Sequence, residues 1–108
     1  MSKKWSELGA YQEEFTVAEA RLILHAHSLG IPLRGRDAYR DERLHGKWGE
    51  KKGYGAAYSC HKVGLARDFY TPNPADHSRL HDYWDTIGGA PRIADDMGHY
   101  SFEWQGYR

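Results

Sequence analysis

Two stretches of helical periodicity, separated by a turn-rich middle, set the limits on what this chain can become. Thr16 and Glu19 have the spacing of a capping box ahead of Val17, Ala20, Ile23, Leu24 and His27, and Gly30 follows as a stop. This predicts a helix that opens at Thr16. Much later, Leu80, Tyr83, Trp84 and Ile87 fall at i, i+3, i+4 and i+7 before Gly88-Gly89, which predicts a second amphipathic helix over residues 78–87. Between the two, residues 64–70 hold Leu65, Ala66, Phe69 and Tyr70 and close on Thr71-Pro72-Asn73-Pro74, the pattern of a short strand ending in a turn. Residues 41–47 suit one or two helical turns. Residues 47–55, with three glycines and three lysines, suit a surface loop. Residues 92–104 suit a hairpin or paired strands. No repeat or linker interrupts the chain, so the expectation is one domain over residues 1–108, α+β, with helices packed against a small, mainly antiparallel sheet.

Charge narrows the function classes. Lys plus Arg and Asp plus Glu are both 15, leaving no excess positive field for tracking phosphates, so nucleic acid is a poor partner. No window approaches the length of apolar chain that crosses a membrane, and the opening Met-Ser-Lys-Lys-Trp leads into polar residues, not the apolar run of a secretory signal. The expectation is a monomer made in a cytoplasm with no membrane partner. The lone Cys60 allows no internal disulfide and no four-thiolate metal site. A chain of 108 residues buries only roughly 60 to 70% of its unfolded surface, so a bound metal would usefully supplement its core. The 8 Tyr, 4 Trp and 7 His suit a polar cleft with stacking walls better than a disordered segment.

The stretch from Ser59 to Asp68 reads Ser-Cys-His-Lys-Val-Gly-Leu-Ala-Arg-Asp. On one helix His61 and Asp68 would lie roughly 10 Å apart, too far to share a metal through bonds of about 2 Å. On one strand their odd separation puts them on opposite faces. If they meet at one metal the chain turns between them, and Gly64 is the residue that permits it. The spacing therefore predicts a loop entering a strand.

The pattern Ser-x-His-x-x-Gly-x-Ala-x-Asp, followed by Asp96-Met97-Gly98-His99-Tyr100-Ser101 and preceded by Tyr39-Arg40, resembles the zinc D-Ala-D-Ala carboxypeptidases and L-alanyl-D-glutamate endopeptidases. Many phage endolysins belong to that family. The resemblance runs over residues 31–108, with three motifs in the expected order, and implies a Hedgehog/DD-peptidase type of α+β fold. It implies that His61, Asp68 and His99 bind Zn2+, that Asp96 is the general base, and that Arg40 contacts substrate or the developing oxyanion, with Arg36 the other candidate. Ser59 would bind substrate or hold the His61 loop. The implied reaction is hydrolysis of a peptidoglycan stem peptide in the periplasm, at the L-Ala–D-Glu bond or, alternatively, at D-Ala-D-Ala, by a single catalytic domain without a wall-binding module. Three N and O ligands leave a position for water, whose pKa zinc lowers from about 15.7 towards 7, within reach of a nearby carboxylate. Two departures stand out: Arg67 where an apolar residue is usual, and Asp41 where Thr or Ser is usual.

Simpler readings compete. Each histidine alone is more often structural than a ligand. His77 and His81 have true ligand spacing on a helix, but Ser78 stands where a helical metallopeptidase needs Glu, so both are expected on a polar helix surface. His25 and His27 read as structural or exposed. Cys60 beside His61 suggests a thiol peptidase, yet adjacent extended residues point apart. Tyr83, Trp84, Phe102 and Trp104 read as core. From other classes come a metal-binding module of the same fold without catalysis, and a non-haem iron oxygenase, whose ligands are more closely spaced than His61 and Asp68.

Overall fold

The computed structural model describes residues 3–52 and 56–108. It shows three helices, α1 (Leu8–Ser28), α2 (Glu42–His45) and α3 (Asp76–Thr86), and three strands, β1 (Arg34–Gly35), β2 (Ala66–Tyr70) and β3 (His99–Ser101). The strands form one antiparallel sheet in the order β1-β2-β3. The expected α+β class with a small antiparallel sheet is therefore present. Among the described residues no helix is long and apolar enough to cross a membrane. The last three residues of the loop expected over 47–55 lie outside the described residues.

The first helix departs from expectation in both its start and its face. It begins at Leu8, behind a short 3-10 turn at Trp5–Glu7. Thr16 is therefore mid-helix, and its hydroxyl donates to the Gln12 carbonyl at 3.0 Å instead of capping. The side turned to the core carries Phe15, Ala18, Leu22 and Ala26, whereas Val17, Ile23 and Leu24 are exposed. The small residues Ala18 and Ala26 allow close approach, which the apolar count alone does not weigh. Glu19, freed from capping, pairs with Arg67 on β2 at 3.1 Å. That ion pair explains how an arginine is accommodated at a strand position where an apolar residue was expected.

The third helix packs on α1 and on the back of β3. Its buried residues are His77, Leu80, His81 and Trp84, while Tyr83 and Ile87 are only half-buried. The expected polar surface for His77 and His81 is thus overturned. His77 Nδ1 and the Tyr100 hydroxyl lie 2.7 Å apart. His81 Nε2 donates to the Met97 carbonyl at 2.8 Å, and its ring stacks on Tyr100 with centroids 4.1 Å apart. Each imidazole has one polar partner and one aromatic neighbour, which makes burial tolerable. Around them Leu22, Leu65, Leu80, Trp84 and Trp104 are wholly buried. Burying each of the leucines contributes about 1.5–3 kcal/mol.

In place of a hairpin over 92–104 there is one strand, β3, whose partner is β2, preceded by an irregular loop. Residues 92–98 instead leave the α3 end, with Arg92 bridging Asp82 and Asp85 at 2.9 Å each, and drop onto the sheet edge.

Candidate metal centre

The His61 side chain is presented by a 3-10 turn, Cys60–Val63, for which Ser59 is the N-cap and accepts from the His61 amide at 3.3 Å. Gly64 ends the turn in the left-handed region at φ 66°, and its amide donates back to His61 at 3.3 Å. Two residues later the chain enters β2. The turn expected between His61 and Asp68 is therefore present, at the glycine that permits it.

Asp68 and His99 are directly opposite each other in the β2–β3 register. Paired residues on neighbouring antiparallel strands project to the same side with Cβ atoms about 4.5–5.5 Å apart, so the register alone brings these side chains together. The Asp68 backbone is fixed from the other edge as well: its amide donates to Asp37 at 2.7 Å and its carbonyl accepts from Arg36 at 2.8 Å. Close approach of the 96–99 turn to β2 needs Gly98, where a Cβ would sit 2.5 Å from the Phe69 carbonyl oxygen.

The result is a group of three side chains, one ligand-capable atom each, all within 4.8 Å of one another. His61 Nε2 lies 3.0 Å from Asp68 Oδ1, and His99 Nδ1 lies 3.2 Å from the same oxygen. His61 and His99 are buried and Asp68 is half-buried. The Ala38 carbonyl oxygen lies 2.6 Å from His61 Nδ1. A carbonyl can only accept, so Nδ1 carries the proton, and in the neutral ring Nε2 turns a lone pair towards the carboxylate. Two lone pairs at that distance repel unless a cation lies between them. The donor set therefore fits a metal ion, and the Ala38 carbonyl stands where an outer partner would fix His61 as a ligand. On the other side, His99 Nε2 is buried with no hydrogen-bond partner among the described residues. Burial alone would raise the Asp68 carboxyl, but without a metal the hydrogen bonds and positive charge of protonated His61 and His99 outweigh that and hold it well below the usual carboxylate range.

Comparison with protein-family models, with curated proteins and with solved structures finds no match for the chain. What the centre can do is decided by its own surroundings. His61 and His99 lie in a cleft of about 560 Å³ that is also lined by Arg40, Ser59, Ile93 and Asp96. Asp96 is exposed at the lip, in a turn where its amide donates to Ile93 at 2.9 Å and its carbonyl accepts from His99 at 3.0 Å. Arg40 donates from Nη1 to Ser59 Oγ at 3.0 Å, with Asp37 3.8 Å from its other terminal nitrogen. Arg36 stands elsewhere, over the Tyr70 ring at 5.1 Å, on a neighbouring shallow cleft. Of the two candidate arginines, Arg40 shares a cleft with His61 and His99 and Arg36 shares the neighbouring one with Asp68, while Asp96 lines both.

Other residues fall away from the chemistry. Cys60 is wholly buried, and burial pushes its thiol up to about 12, so it stays protonated and unreactive near neutral pH. His25 stacks on Tyr83 at 4.0 Å, a packing role between α1 and α3. The cleft residues that escaped sequence reasoning include Tyr58, Ile93 and Tyr107. They sit singly in loops, where no periodic pattern could have marked them.

Proposed function

We propose that this chain is a zinc-dependent peptidase acting on peptidoglycan stem peptides, with His61, Asp68 and His99 as metal ligands and a Hedgehog/DD-peptidase type of fold. The observation that supports it most is the convergence of one carboxylate and two imidazoles, one of them held from behind by a backbone carbonyl, beside a cleft that also holds the Asp96 carboxylate and the Arg40 guanidinium. The motif order along the sequence supports the same reading. Two histidines and one aspartate form a zinc donor set of the kind that leaves one position open to water.

Bound there, zinc would supply Lewis acidity, acidifying a water and polarising a peptide carbonyl. The remaining work falls to the chain. Asp96, exposed at the lip and three residues before His99, takes the proton from the attacking water and returns it to the departing amine. Arg40, braced by Ser59 and Asp37, presents a planar guanidinium to the developing oxyanion or to a substrate carboxylate. Ser59 keeps both His61 and Arg40 in place through one hydroxyl.

The bond proposed is L-Ala–D-Glu, with D-Ala-D-Ala the alternative within the same chemistry. Purified peptidoglycan, digested by zinc-loaded protein with and without chelator, distinguishes them by mass spectrometry of the released fragments. New termini at L-Ala and D-Glu, lost on chelation, are expected. Release of D-Ala alone would move the reaction to the carboxypeptidase class, and intact peptidoglycan with a folded, zinc-loaded protein would leave a metal-binding module without catalysis.

A further inference from the structure

Beyond Ser59 the same cleft has a wall of two tyrosines. Tyr58 and Tyr107 stack with centroids 4.5 Å apart and planes 10° apart, and both line the cleft with His61 and His99. Trp48 meets each of them edge to face, at 5.4 and 5.7 Å, and so braces the pair from one side. Yet Tyr58 keeps 42% and Tyr107 44% of its surface exposed, so the pair is supported from behind without being covered. Tyr107 is held in place by a two-residue turn: it and Trp104 exchange both backbone hydrogen bonds at 2.9 Å across Gln105 and Gly106, both at positive φ. Gln105 is the one non-glycine residue at positive φ among those described, an unfavourable conformation that delivers the Tyr107 ring to the cleft.

Neither ring belongs to the buried core, and among the described residues no hydrogen bond joins either to His61, Asp68, His99 or Asp96. A rigid, half-exposed aromatic pair is a contact surface ordered before ligand arrives, so binding to it costs little side-chain entropy. Its chemistry suits a pyranose ring, whose C–H groups form an apolar face and whose hydroxyls form a polar rim matching the phenol groups. Ile93 adds apolar surface in the same cleft. A volume of about 560 Å³ is well inside the range of roughly 300–1,000 Å³ that encloses a ligand much larger than one peptide bond. A ring on the tyrosines and a bond at the three-residue centre would lie in one cleft and so belong to one molecule. In peptidoglycan, the L-Ala of the stem is joined through a lactyl group to an amino sugar, which places a pyranose one residue from the L-Ala–D-Glu bond.

We infer that Tyr58 and Tyr107 form a sugar-stacking subsite, and that the chain acts on stem peptides still attached to their glycan. This rests on the peptidase reading and deepens it. The test compares kcat/KM of the zinc-loaded protein for a disaccharide-pentapeptide and for the same pentapeptide without sugar. The wild type is expected to favour the sugar-linked substrate by about tenfold or more, the ratio falling towards one in Tyr58→Ala and Tyr107→Ala and surviving in Tyr58→Phe, which keeps the stacked ring. A wild-type ratio near one, or a ratio unmoved in both alanine variants, overturns the subsite. Titration of the free disaccharide, read by tryptophan fluorescence, separates the two claims. If neither peptide is cut, Tyr58-dependent disaccharide binding keeps the subsite and removes the peptidase, and absence of binding removes the subsite too.

Discussion

Asp68 is the residue through which the centre is assembled, because one of its oxygens faces both imidazoles while its backbone is tied to residues 36 and 37. Asp96 differs: it is exposed, hydrogen-bonded among the described residues through its backbone alone, and three residues before His99. That contrast predicts separable defects. Asp96→Asn should lower kcat by about 10²–10⁴-fold, the usual contribution of a general base, while zinc content stays unchanged. Turnover within a few-fold of wild type, measured on peptidoglycan fragments at saturating zinc, would contradict its assignment. The meeting of His61, Asp68 and His99 was implied by the resemblance of the two motifs, while the spacing of His61 and Asp68 required only that the chain turn between them if they met, at Gly64. The Ala38 carbonyl that sets the His61 tautomer could not be read, since a backbone oxygen has no sequence signature. Nor could Tyr58 and Tyr107, which are far apart in the chain and become a pair only after folding.

Single elements show where pattern reading succeeds and fails. The α3 periodicity located the helix to within two residues, yet its buried face is shared with His77 and His81, because Tyr100 and the Met97 carbonyl supply partners no local window contains. In α1 the Thr16–Glu19 spacing suggested a start, whereas Leu8 to Phe15 continues the helix and Glu19 serves the sheet. Two predictions belong here. Gly64→Ala forces a side chain into φ 66° and against Gln12 Nε2, 3.0 Å from the new Cβ, at a cost of about 1–2 kcal/mol. Thermal unfolding should fall by roughly 4–15 °C, and zinc affinity with it, since His61 sits in the disturbed turn. An unchanged midpoint would show that the turn carries no constraint. Burial lowers the pKa of His77 and His81 below the ordinary imidazole value. The unfolded chain then binds more protons than the folded one, so stability rises with pH and is lost as pH falls below about 6.5. Urea midpoints measured from pH 7.5 to 5.5 should show this decline, and a shallower one in His81→Gln, whose amide can still donate to Met97. Parallel slopes in the two proteins would place the acid sensitivity elsewhere.

At the scale of the whole molecule, three short strands and one long helix form a frame whose main product is a fixed relation between the 59–64 turn, β2 and the 96–99 turn. Each ligand candidate comes from a different one of these, so the centre exists only in the folded chain. A metal that binds the folded state alone adds stability of about 2.7 kcal/mol at a free concentration of 100 Kd, a large share of what a domain of this size can have. The α+β class followed from helix spacing and breaker residues, but the order of strands did not, because β1 and β3 are only two and three residues long and draw their pairing from β2. The most direct test of the account is the metal content of purified protein, loaded with zinc and freed of excess, measured by mass spectrometry of the elements. One zinc per chain is expected in the wild type, lost in His61→Ala, Asp68→Ala and His99→Ala and kept in His77→Ala; zinc that is absent from the wild type, or survives loss of all three ligands one by one, would contradict it.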